Sequence, residues 1–144
     1  MSQIKSSFVG RANRLVTVID EHLDKEAFRP LLKATRVTSL PGMLRRHGLL
    51  LTVVFLRSKE TCQKPDDGLL VNLLEIGIKA LFHENDLSLN VAYLKQDFPL
   101  AKQLYLQDLA METANWIQRL VAAREILEKV SSSVDEEGAQ GEHH

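Results

Sequence analysis

Apolar positions recur at helical spacing along most of this chain. Phe8, Ala12, Leu15, Val16, Ile19 and Leu23 follow one another by four, three or one residues, which puts them on one face of a helix. Ser6 or Ser7 stands where a side-chain oxygen can accept from the open amides of a first turn. Phe28, Leu31, Leu32 and Val37 predict a second helix. It begins near Glu26 or Ala27, because Pro30 is tolerated only in a first turn, where its missing N–H leaves no carbonyl unserved. Thr38 and Ser39 before Pro41 repeat that start signal. The run over 43–59 then predicts a third helix, with a bend, cap or close packing at Gly48. Its segment 49–55 is apolar on nearly every side. As a strand it would find no second strand to satisfy its ladder groups, so the pattern predicts a central buried helix.

Residues 61–68, TCQKPDDG, are the clearest loop, and Asp66 or Asp67 is placed to cap the helix that follows. That helix carries Leu70, Leu73, Leu74, Gly77, Ile78 and Leu81. Residues 83–88 break it, residues 90–95 suit a short turn, and Asp97-Phe98-Pro99 opens the last and longest helix. Leu106, Ala110, Ala114, Ile117 and Val121 make one stripe there; Leu109, Trp116, Leu120, Ala123 and Leu127 make the next. A stripe that wide predicts a mostly buried helix. Past Val130 the pattern ends in a polar, acidic sequence that predicts a disordered tail. The expectation is all-α: a compact single-domain bundle of five to six helices over 1–130, with a flexible polar tail over 131–144.

Composition supports a core of that size. The chain has 144 residues, 44% hydrophobic and 26% charged, enough to bury roughly two-thirds of the unfolded surface. Cys62 is the single cysteine, so no internal disulfide forms, which suits a reducing compartment. The N-terminus lacks the apolar core of a signal peptide, and no apolar run nears the ~20 residues that span a bilayer. These features predict a cytoplasmic protein without membrane contact.

The search for chemistry is mostly negative. No glycine-rich phosphate loop occurs, Cys62 has no His or Asp at activating spacing, and His22, His47 and His83 are isolated. His83, Glu84 and Asp86 form the one compact His-plus-carboxylate group, in a polar loop where solvated side chains are the default. Glu75 falls one residue from its helix stripe, as a boundary residue whose head reaches solvent. The expectation is no catalytic residue, no metal and no cofactor.

Charge is more informative. Residues 27–64 hold eight basic residues against Glu60, a net +7, while residues 65–112 hold eight acids against three lysines, a net −5. Such segregation concerns partners rather than fold. Arg45 and Arg46 follow the Pro41 helix start, and Arg57 and Lys59 end the same run. Cations there complement the helix dipole or contact phosphates. The chain has eight aromatic residues, and Phe8, Phe28, Phe55 and Trp116 fall on apolar stripes, so any nucleic acid would be held by its backbone rather than by base stacking.

The segment 28–59 resembles the small all-helical subunit of the type III-B CRISPR Cmr effector complex. The likeness rests on Leu40-Pro41, His47-Gly48-Leu49 and Phe55-Leu56-Arg57-Ser58-Lys59, joined in the C-terminal half by Tyr105, Glu112 and Trp116-Ile117-Gln118-Arg119. The chain departs from that family at Arg46-His47, in place of Gln-Asn, and at Gln118, in place of lysine. The resemblance covers about residues 5–130. It implies a non-catalytic role, in which copies stack along a ribonucleoprotein filament, brace the guide RNA–target RNA duplex and touch other subunits. On this basis Arg45, Arg46, Arg57 and Lys59 are the first candidates for RNA-backbone contact, with Lys64, Arg119 and Arg124 behind them. The alternatives are the small subunit of the type III-A complex, a helical protein-interaction adaptor without nucleic-acid binding, and a small hydrolase using His83, Glu84 and Asp86.

Overall fold

A computed structural model describes the backbone of residues 2–62 and 65–141, with side chains for residues 10–59 and 65–131. Its elements run α1 (Ser2–Leu23), a 3-10 helix (Glu26–Lys33), α2 (Thr35–Cys62), α3 (Pro65–Leu81), α4 (Val91–Leu94) and α5 (Leu100–Gly141). Every regular element among the described residues is a helix, as the periodicity predicts. Because α1 begins at Ser2, Ser6 and Ser7 lie inside it rather than at its cap.

The proline signals are read differently by the fold. Pro30 lies inside its element, in the second turn rather than the first, and that element is a 3-10 helix rather than an α-helix. Helix α2 starts at Thr35, three residues before the predicted cap, and so takes Pro41 into its interior at the loss of one backbone hydrogen bond. Gly48 then breaks α2 with φ 80° and ψ 172°, a conformation essentially restricted to glycine. Two helical halves therefore meet at an elbow.

Helix α3 is the centre of the bundle. It packs on α1, α2 and α5, and Leu70, Val71, Leu73, Leu74 and Ile78 have no exposed surface. The all-round apolar segment 49–55 is not the buried helix it resembles: Leu51 is 59% exposed and Val54 39%. Only Leu49, Thr52, Val53 and Leu56 of that half turn inward. Helix α5 likewise outruns its partners. Its 42 residues rise about 63 Å, and Ile126, Leu127 and Val130 stand in the open beyond Val121, the last buried position. The predicted stripe is buried as far as Val121 and exposed beyond it, where Leu127 lines an open cleft with Leu23 and Leu32. The side chains of 132–144, most of the predicted tail, lie outside the described residues.

Glycine at 77 lets α1, α3 and α5 come together. A Cβ there would sit 2.4 Å from Thr113 Cγ2 and 3.1 Å from Leu15 Cδ1. The loop after α3 is tied down by Glu75, whose Oε1 accepts from the Leu89 amide at 2.6 Å. Its carboxylate thus turns onto the loop, correcting the expectation that its head reaches for solvent. Asn90 caps α4 by accepting from the Tyr93 amide.

Candidate nucleic-acid interface

The elbow in α2 organises the basic residues. At Gly48 the helical ladder is interrupted, and the side chain of Gln107 on α5 fills the gap. Its Oε1 accepts from the Leu49 amide at 2.9 Å, and its Nε2 donates to the Leu44 carbonyl at 2.8 Å. One amide side chain thus serves a donor and an acceptor that a straight helix would pair internally. The turn just before the break carries Arg45, Arg46 and His47, all exposed. No acid lies within ion-pair distance of Arg45 or Arg46 among the described residues.

A cleft of about 400 Å³ lies in the elbow, lined from one half of α2 by Arg36, Ser39, Met43, Arg46 and His47, and from the other by Leu51, Thr52 and Phe55. Arg36 rests on the Phe55 ring at 4.8 Å, and Lys59 approaches the same ring at 5.7 Å. Arg36 Nε also reaches Asp67 Oδ2 at 3.4 Å. Asp67 is only 1% exposed and lies in the first turn of α3, where negative charge suits the helix dipole. The pair links the basic segment to the acidic one, so part of the charge segregation is cancelled inside the fold. Among the described residues Arg45, Arg46 and Lys59 form no ion pair. Arg36 is countable as a charge in the sequence, but its place at the cleft depends on the stripe 36–39–43–46 continuing across a helix start that the proline signal places later.

The remaining candidates disperse. Arg57 donates to Asn72 Oδ1 at 3.1 Å and braces α2 against α3. Arg119 is exposed on α5 over the Trp116 ring, at 5.2 Å. Lys64 lies outside the described residues. Arg124 is committed elsewhere: Nη2 meets Asp20 Oδ1 and Nη1 meets Asp24 Oδ1, each at 2.6 Å, clamping α5 to the end of α1. That fork engages both Nη atoms within the bundle, while Nε has no hydrogen-bond partner among the described residues, which leaves Arg124 the least available of the candidates.

The His83-Glu84-Asp86 group is also drawn into structure. Glu84 Oε1 accepts from Lys102 Nζ at 2.9 Å and from the Tyr93 hydroxyl at 3.2 Å, while His83 and Asp86 are exposed. Lys102 further sits 4.1 Å from the Phe98 ring. Burial, then the Glu84 charge, hold the Tyr93 phenol above its ordinary 10.0. The Glu84 hydrogen bond chiefly raises Lys102 above 10.5. Both folded-state values exceed the unfolded ones, so their stabilisation is complete below about pH 10 and is lost as pH rises through the folded values. We expect the urea midpoint to fall between about pH 8 and about pH 11, and to fall less in Tyr93→Phe. Equal falls in both proteins would show that Tyr93 plays no part. No group of three or more metal-binding side chains occurs among the described residues.

Residues 10–124, well over half of the chain, match the family described as CRISPR-associated protein (Cas_Cmr5). The chain belongs to that family. It is a Cmr5-type small subunit of the type III-B CRISPR Cmr complex, as the Leu-Pro and Phe-Leu-x-Ser-Lys resemblance implies. No curated protein and no solved structure matches the chain. The matched span ends at Arg124, the residue that fastens α5 to α1, just where α5 leaves the bundle. As a Cmr5-type subunit it has the other subunits of that complex as partners. No helix among the described residues is long and apolar enough to cross a membrane.

Proposed function

We propose that this Cmr5-type subunit is a non-catalytic brace that stacks along the effector filament in the cytoplasm and holds the guide RNA–target RNA duplex by its backbone. The observation that carries this reading is the turn of Arg45, Arg46 and His47, exposed and, at both arginines, without an acidic partner among the described residues, beside the Gly48 elbow. Lys59 adds a further cation at the Phe55 end of the cleft, and Arg57 and Arg119 contribute at longer range. Rigid placement matters here: Gln107 holds both halves of the elbow to α5, so the arginines are presented at a set angle. Contacts with other subunits and with copies of itself are served by exposed Leu51, Leu100 and Leu104, which surround a second cleft of about 460 Å³ between α2 and the start of α5.

Charge reversal at Arg45 and Arg46 tests the RNA reading in the assembled complex. Target-RNA retention should weaken, and the slope of log affinity against log salt should flatten by about 0.7–0.9 for each phosphate that is no longer neutralised. Unchanged affinity and slope would reject these residues. If the helical subunit is instead an adaptor, both variants will assemble normally and RNA retention will not change.

A further inference from the structure

We infer that the elbow of α2 seats a single nucleotide, its base against Met43, Leu51 and Phe55 and its phosphate against Arg46 and Arg36. The inference goes beyond backbone bracing and departs from the expectation of backbone contact alone, since the seated nucleotide must be unpaired; it rests on that reading for the choice of RNA as the source of the occupant. Three features of the cleft converge on it.

The first is an orphaned hydroxyl. Thr52 is 1% exposed, and its Oγ1 has no hydrogen-bond partner among the described residues. A buried threonine in a helix ordinarily donates to the carbonyl four residues back, as Thr113 does to Leu109 at 2.7 Å. Four residues before Thr52 is Gly48, whose ψ of 172° turns its carbonyl out of the helical direction. The break that makes the cleft therefore also strips Thr52 of its natural acceptor. Its Oγ1 makes no bond to the Leu49 carbonyl either, and a change of χ1 would bring the hydroxyl to the cleft that Thr52 lines. An unmade bond of this kind is expensive in a buried site, and it is recovered when an occupant supplies the partner.

Composition of the walls is the second feature. Met43, Leu51 and Phe55 supply the apolar part of the lining, and Arg36, Arg46, His47 and Ser39 supply cationic and polar groups beside it. Phe55 already carries Arg36 on its ring, so cation and aromatic are preassembled. Asp67 offsets Arg36 in part, which leaves Arg46, folded back to within 3.7 Å of the position a Gly42 Cβ would take, as the principal anion contact. A lining that combines apolar side chains with arginines suits a base bearing a phosphate better than either a simple anion or an apolar side chain.

Size is the third. A water needs roughly 10–15 Å³ and several polar partners. The cleft is about 400 Å³ and has three apolar residues in its lining, so one bridging water satisfies Thr52 without accounting for the space. Pockets for small ligands begin near 300 Å³.

The test uses the full chain, followed by the methyl and amide resonances of Met43, Leu51 and Thr52. Inorganic phosphate, a nucleoside 5′-monophosphate and a short single-stranded oligoribonucleotide are titrated separately. The mononucleotide should shift all three residues saturably, with phosphate requiring at least roughly tenfold higher concentration. Thr52→Val keeps the side-chain shape and replaces an orphaned hydroxyl with a methyl, so it should fold at least as well as wild type. It should bind the mononucleotide roughly two- to tenfold more weakly, and Arg46→Glu should abolish the shifts. If the oligoribonucleotide produces the same shifts, the source is a nucleotide of an RNA strand; if only the mononucleotide does, the source is a free nucleotide. Equal affinity for phosphate and mononucleotide, unchanged binding by Thr52→Val, or the absence of shifts with every ligand would overturn the nucleotide seat. Backbone bracing stands or falls separately, on the salt slope of the Arg45 and Arg46 variants.

Discussion

Gln107→Ala should destabilise the bundle by about 2–4 kcal/mol, because it leaves two backbone groups without partners at once. The Leu49 amide and the Leu44 carbonyl lie on either side of the Gly48 break, and both are served by this one side chain. Each orphaned group costs about 1–3 kcal/mol when buried, and water entering from the adjacent cleft recovers some of it. The distinguishing variant is Gln107→Glu. Its carboxylate still accepts from the Leu49 amide but sets a second oxygen against the Leu44 carbonyl. Near pH 7 it should therefore resemble the alanine variant, and it should regain stability as the carboxyl protonates towards about pH 4 and becomes a donor. Urea unfolding at matched m values reads both effects. A Gln107→Ala protein within about 0.5 kcal/mol of wild type would show that the elbow does not depend on this clamp. Because Arg45, Arg46 and His47 precede the break directly, removing the clamp should also loosen the cationic turn.

Gly77→Ala should have the next largest effect, about 2–3 kcal/mol, although alanine is the better helix former by about 1 kcal/mol. The new Cβ would lie 2.4 Å from Thr113 Cγ2. Thr113 has little room to yield: it is β-branched, fully buried, and its hydroxyl is bound to the Leu109 carbonyl. Leu15 closes the site from α1. Helices α1 and α5 must therefore move off α3, which is the element all the long helices share. Thr113→Ser removes the clashing methyl and keeps the hydroxyl. Alone it should cost about 1 kcal/mol through the small cavity it leaves. Combined with Gly77→Ala it should restore most of the stability, giving a coupling energy above about 1 kcal/mol in a double-mutant cycle. Additive effects would place the strain elsewhere.

These two sites show where sequence reasoning stops. Gly48 and Gly77 are both legible as glycines in helical patterns, and the pattern predicts a bend, cap or close packing at Gly48. Nothing local marks Gln107 or Thr113 as their partners, since the pairs are 59 and 36 positions apart and meet only through the packing of α5. Glu75 illustrates the same limit. Its position beside the stripe predicts a solvated head, but the loop folded over it supplies an amide at 2.6 Å, a better partner than water at the edge of a core. The basic candidates divide for a similar reason. Arg45 and Arg124 are equivalent as charges, and only the approach of α1 brings Asp20 and Asp24 against the second.

Periodicity alone was sufficient for the fold class and for much of the helical pattern and core, because burial of a helix face is written in residues three and four apart. The short motifs at Leu40-Pro41 and over 55–59 were sufficient for the family, which the match over residues 10–124 bears out. Tertiary structure decided which helix is central. Segment 49–55 is the more uniformly apolar by eye, yet α3 occupies the middle because Gly77 lets its neighbours approach, while Leu51 and Val54 face outward. It also decided which cations remain available and that the Gly48 break opens a cleft beside a Thr52 hydroxyl with no partner among the described residues. Those outcomes depend on which distant side chains arrive at a given point, and local spacing carries no record of that.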